Sequence, residues 1–140
     1  MAEVSPTPLV RKLGIKPGHR ISFINEPADF ARIVGPLPAG CLQLPEDADD
    51  ADQMDVIICF GDSQARLRKR FGKCKPRLAA NGGLWLCWPK KASGVATDLA
   101  DMVVQKIGLD GGLVDNKICS IDATWSAMRF VFRLRDRPSQ

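Results

Sequence analysis

The sequence has no tyrosine and a single histidine, His19. Nucleophile triads and hydrolytic zinc sites generally draw on histidine. His19 stands just before the first strand-forming run, at the amino end of that strand. Open parallel sheets bind ligands beyond their carboxyl ends, so His19 reads as a surface residue at the wrong edge. The five cysteines, Cys41, Cys59, Cys74, Cys87 and Cys119, lie at least 13 positions apart without a CxxC, which argues against a disulfide framework or a zinc ribbon. There is no GxxxxGK[ST], hence no Walker-type phosphate loop, and no two glycines stand two positions apart. No window approaches ~18 apolar residues, so a spanning helix is not expected. The opening MAEVSPTPLVRKLG carries Glu3 early and has no apolar core of secretory type, which points to a cytoplasmic protein without membrane contact. Neither the 10 prolines nor the 12 glycines recur with a period.

What is present suits a soluble domain. At 140 residues, with 45% hydrophobic and 26% charged residues, the chain is sized for one core spanning 1–140. Residues 1–8 and 135–140 read as flexible ends. The net charge of +4 is unevenly laid out. EDADDADQMD, from Glu46 to Asp55, holds six carboxylates, and RLRKRFGKCKPR, from Arg66 to Arg77, holds seven cations. The acidic stretch, placed over 45–54, reads most simply as a solvated loop, the alternative being a metal or partner site. In the basic stretch Leu67, Phe71, Cys74 and Leu78 recur at helical spacing. The simpler reading there is an amphipathic helix with a solvated basic face, and contact with nucleic acid or an acidic partner is the less favoured one.

Leu9, Val10 and Leu13 suggest a short helix ending near Gly14. RISFIN (20–25) follows as a strand, then a helix from Pro27 to about Val34, then a short apolar piece at 41–44. DVIICF (55–60) has the continuous apolar composition of a strand covered on both faces. Asp62 or Ser63 is placed to cap the basic helix. Pro76 splits that helix, Asn81-Gly82-Gly83 closes it, and LWLCW (84–88) is the next strand. A helix over 97–107 presents Leu99, Met102, Val103 and Ile107 on one side and is stopped by Gly108. Val114–Ile121 and Trp125–Leu134 are joined by three residues and form a hairpin. Its second strand alternates Met128, Phe130, Phe132 and Leu134 with a mostly cationic, solvated face that includes Arg129. This order implies an α/β fold: a three-layer, Rossmann-like sandwich whose mainly parallel sheet of about six strands ends in an antiparallel hairpin.

That order, with LGIKPGHRISFI leading into the first strand and NGGLWLCWPK into a later one, resembles a shortened class I S-adenosylmethionine-dependent methyltransferase. GGLWLCWPKKASG, TDL at 97–99, GLVDNKICSID and WSAMRFVFRL are also similar to a family of small bacterial proteins defined only as a domain of unknown function. The second resemblance implies a fold and a bacterial origin but no activity. The first implies a cofactor held on a glycine-rich bend after the first strand, where this chain has Asn25-Glu26-Pro27. It has no room either for the extra strand and helix of a full cofactor pocket.

Cys59 and Cys87 read as core thiols. What remains is the carboxyl edge of the sheet, where Asn25, Glu26, Asp62, Trp88, Lys90 and Lys91 are expected to converge on a crevice with an aromatic plate, two cations and two carboxylates. Glu26 stands where an acidic ligand to an adenosine ribose would be. The simpler alternative packs Trp88 on Pro89 or Trp125 and leaves the charges solvated. No cofactor, metal or catalytic residue is indicated. The favoured function is a non-catalytic module binding a small anionic ligand or a protein partner. The alternative is an S-adenosylmethionine- or nucleotide-dependent enzyme with an altered cofactor site.

Overall fold

A computed structural model describes residues 8–45 and 53–136. Most of the expected flexible ends, 1–8 and 135–140, and most of the expected acidic loop, 45–54, lie outside these residues. The elements follow the order read from the sequence: α1 (Leu9–Lys12), β1 (Arg20–Ile24), α2 (Phe30–Val34), β2 (Leu42–Gln43), β3 (Met54–Phe60), α3 (Gln64–Cys74), β4 (Leu78–Pro89), α4 (Asp101–Asp110), β5 (Val114–Ser120) and β6 (Trp125–Val131). They form one six-stranded sheet in the order β2-β1-β3-β4-β6-β5. The first four strands run parallel, and β6 pairs antiparallel with both β4 and β5.

The continuous apolar run of β3 is explained by its place between β1 and β4. Val56, Ile58 and Phe60 point into one layer, and Met54, Ile57 and Cys59 into the other. The first layer is closed by α1 and α2 through Phe30 and Val34. The second is closed by α3 and α4 through Leu67, Phe71, Cys74, Val104 and Ile107. Phe23, Phe30, Phe60 and Trp125 run edge to face with centroids 4.9–5.0 Å apart, filling the α2 layer toward the carboxyl edge. Each fully buried phenylalanine stabilises the fold by roughly 1.5–3 kcal/mol.

Several boundaries differ from the expected ones. Pro27 does not open α2: it heads a turn in which Phe30 N–H donates to the Pro27 carbonyl at 3.0 Å, and the helix begins three residues later. Pro76 ends α3 outright. It sits in a 3-10 turn, Lys75–Arg77, and β4 starts at Leu78, so no second α-helical segment follows and Gly82-Gly83 lie inside a strand. A Cβ at Gly82 would come within 2.8 Å of the Met54 carbonyl, and one at Gly83 would strike the Arg129 guanidinium. These glycines permit close passage at an irregularity in the β3–β4 register, a use indistinguishable in sequence from a helix stop.

The last helix starts at Asp101 rather than 97 and passes through Gly108, where a Cβ would enter the Phe130 ring. Its buried side is therefore Val104, Ile107 and Gly108, while Met102 is 81% exposed. β6 ends at Val131, leaving Leu134 exposed, and Arg129 is half-buried rather than solvated. No helix among the described residues is long and apolar enough to cross a membrane.

Candidate functional site at the carboxyl edge

The edge is built where three parallel strands end. β1 stops at Ile24, and Asn25 turns the chain with φ of 56°, the only non-glycine residue with positive φ among those described. Asparagine is one of the few side chains that tolerates this left-handed conformation. Asn25 Nδ2 donates to the Phe60 carbonyl at 3.3 Å, tying the ends of β1 and β3 together. The bend thus has glycine-type backbone without glycine. Glu26 follows, exposed.

Beyond β3, Gly61 N–H donates to the Cys87 carbonyl at 3.1 Å. Asp62 accepts from Arg66 NH1 at 2.8 Å, and its carbonyl accepts from Thr97 Oγ1 at 2.7 Å. Ser63, not Asp62, caps α3, its Oγ accepting from Arg66 N–H at 3.3 Å. Asp98 Oδ1 accepts from Gln64 N–H at 2.8 Å. Thr97 and Asp98 therefore hold the start of α3 instead of opening their own helix.

The six residues expected to converge are distributed over two places. Trp88 is only 3% exposed and packs in the α3–α4 layer, so it offers no open aromatic plate. With Lys90 and Lys91 it lines a cavity of about 550 Å³ whose other walls include Leu99, Met102, Ser126 and the carboxylate-bearing Asp101. Lys90 Nζ is engaged by Ser120 Oγ at 2.6 Å. Asn25, Glu26 and Asp62 stand at the ends of β1 and β3 and do not line that cavity. Of the other two tryptophans, Trp85 is fully buried and Trp125 packs on Phe60, both in the opposite layer.

A second cavity, of about 360 Å³, escaped the sequence reading. Its walls are Ile24 at the end of β1 and one flank of α3, with Arg66, Lys69, Arg70, Lys73 and Arg77. The signal lay in the spacing: these cations recur at three- and four-residue steps, which sets them in one row on a helix. In sequence the row reads as solvated because nothing local shows that its flank faces the sheet beside β1.

The remaining titratable groups behave as core or surface. Cys59 is held protonated by its hydrogen bond with Cys74 and by burial, and Cys87 by burial, which pushes both thiols well above their usual range. Both sit fully buried inside strands as core thiols. His19 Nδ1 accepts from Lys16 N–H at 3.1 Å, at the amino edge. Among the described residues no group of three His, Cys, Asp or Glu side chains is placed to hold a metal.

No family model and no curated protein matches the chain, but solved structures do. A SAM-dependent methyltransferase from Aquifex aeolicus superposes with a TM-score of 0.57 at 12% identity, over 87% of this chain and 86% of that one. Magnesium protoporphyrin IX methyltransferase from Synechocystis, with bound SAH, gives 0.56 at 11%, over 89% and 78%. Fibrillarin from Aeropyrum pernix, in complex with S-adenosyl-L-methionine, gives 0.55 at 13%, over 84% and 68%. The fold is that of the class I S-adenosylmethionine-dependent methyltransferases. At these identities the likeness concerns the fold. It agrees with the layered sheet closed by an antiparallel pair and with the three-layer architecture read from the sequence.

Proposed function

We propose that the protein binds an S-adenosyl cofactor over the carboxyl ends of β1 and β3 and acts as a methyltransferase-type enzyme with a remodelled cofactor site. The observation that carries this reading is the bend at Asn25. A glycine-poor sequence argues against a cofactor because side chains bar close approach of the backbone. Yet the bend has the positive φ that glycine usually supplies. The neighbours in complex with S-adenosyl-L-methionine and with SAH support the same reading.

The residues at hand suit such a ligand. Glu26 is an exposed carboxylate one position past the bend, suited to accept hydrogen bonds from ribose hydroxyls, and Asn25 would hold the backbone beneath it. When bound, the cofactor supplies an electrophilic methyl group with its own leaving group. The protein's part is then to align the acceptor and exclude water, which requires positioning rather than a histidine triad. The lack of such a triad, which favours a non-catalytic module on sequence grounds, is therefore compatible with methyl transfer.

The test is calorimetric titration of the full chain with S-adenosylmethionine and SAH. One-site binding with a dissociation constant in the range of about 1 μM to 1 mM is expected. No heat and no thermal stabilisation at millimolar ligand would overturn the reading.

A further inference from the structure

The row of cations on α3 calls for a reason, because it works against the helix that carries it. The first turn of α3 has no acidic residue, although the positive end of the helix dipole favours one. Arg66 with Arg70, and Lys69 with Lys73, place like charges four residues apart, an arrangement that destabilises a helix. Arg66 is offset in part by Asp62 at 2.8 Å. Lys69 and Lys73 have no carboxylate within ion-pair distance among the described residues. Among the described residues, the cleft they line with Arg70, Arg77 and Ile24 includes no acidic wall.

The cleft exists because of topology. α3 and α4 cover β3, β4 and β6, and no helix among the described residues covers β1 and β2 on that side of the sheet. The flank of α3 that a neighbouring helix would bury is covered by no helix among the described residues and lines the cleft instead. Its base is organised: Arg77 is 3% exposed and donates to the Pro45 carbonyl at 3.1 Å, and Arg70 NH1 to the Phe60 carbonyl at 3.4 Å.

We propose that this cleft binds the phosphodiester backbone of a nucleic acid strand. From Arg66 to Lys73 the row rises about 10 Å along the helix, and Arg77, buried and already partnered, forms part of the floor beneath it. One strand of a duplex advances about 3.4 Å along the duplex axis per phosphate while it winds around that axis, so a straight row of this length meets about two successive phosphates. A nucleoside triphosphate concentrates its charge in one compact tail and would leave part of the row unanswered. Arginine suits phosphate oxygens because its planar fork donates two parallel hydrogen bonds. No aromatic side chain lines the cleft, so bases are not stacked and contact is tolerant of sequence. The proposal goes beyond cofactor binding and stands without it.

Fluorescence anisotropy of the full chain with short labelled RNA, single-stranded DNA and duplex DNA tests it, with ATP and a poly-glutamate peptide as competitors. Affinity for at least one strand is expected to fall with a logarithmic salt slope of about −1.4 to −1.8, roughly tenfold between about 50 and 200 mM salt. The double variant K69E/K73E should weaken binding about tenfold or more, whereas Lys16→Glu, half that charge change and outside the cleft, should alter it by less than about 1.5-fold, well under its share of a general charge effect. Both changes are at exposed positions, and a thermal melt verifies folding. Competition by ATP or poly-glutamate as strong as that by unlabelled strand would overturn the proposal, as would a flat salt response or equal losses in K69E/K73E and Lys16→Glu. Titration of K69E/K73E with S-adenosylmethionine separates the two readings: retained cofactor binding with lost nucleic acid binding supports both, and cofactor binding without nucleic acid binding in the unaltered chain removes this one alone.

Discussion

Asn25 concentrates the functional question into one backbone angle. A left-handed residue with a Cβ costs about 1–2 kcal/mol, and asparagine offsets part of this here through its hydrogen bond to the Phe60 carbonyl. Asn25→Gly loses that bond, worth about 0.5–1.5 kcal/mol, but relaxes the angle, so its stability should lie within about 1 kcal/mol of the parent. Asn25→Ala loses the bond and keeps the strain, and should cost about 1–2 kcal/mol. Urea denaturation of the two variants checks this, and equal stabilities would show that the angle carries no strain. Sequence could not reveal the bend, because asparagine after a strand fits several turn types and only the structure discloses which one it takes.

At the scale of elements, what was legible and what was not divide along a physical line. The order of strands and helices was written in periodicity: the unbroken apolar run of β3, the alternation of Met128 and Phe130 in β6, and the helical spacing of Leu67, Phe71 and Cys74. Boundaries were lost where a residue serves another element. Thr97 and Asp98 look like the start of α4, yet their partners are the Asp62 carbonyl and Gln64 N–H, more than 30 positions away. The start of α3 is thus satisfied twice, by Ser63 from within and by Asp98 from the loop before α4. Replacing either with alanine should cost about 1 kcal/mol, and Asp98→Asn, which keeps an acceptor oxygen, should retain most of the stability. Thermal melts of Ser63→Ala, Asp98→Ala and Asp98→Asn measure this. If Asp98→Ala were silent, the loop would not be clamping α3. The cationic cleft was hidden for a related reason: its charges were visible, but its open side depends on which strands α3 leaves uncovered.

For the whole molecule, the decisive contact is between the middle of the chain and its end. β4 pairs with β3 on one side and with β6 on the other, and β6 carries Phe130 and Met128 into the α4 layer and Ala127 into the α2 layer. Gly108 of α4 rests directly on Phe130, so the last helix has no seat until the last strand is in place. A chain ending after Leu113 would expose one side of β4, empty the Phe130 site and leave the buried stripe of α4 without its support. Deleting one large buried side chain costs about 3–5 kcal/mol, comparable to much of the ~5–15 kcal/mol that holds a domain together, and this truncation removes several. It is expected to abolish cooperative unfolding followed by circular dichroism. A chain ending after Arg133 gives up the exposed Leu134 and, among the described residues, none of the core, so its melt should stay within a few degrees of the parent. A cooperative transition in the shorter fragment would mean that the parallel half of the sheet is a folding unit of its own, with the hairpin docked onto a finished core rather than completing it.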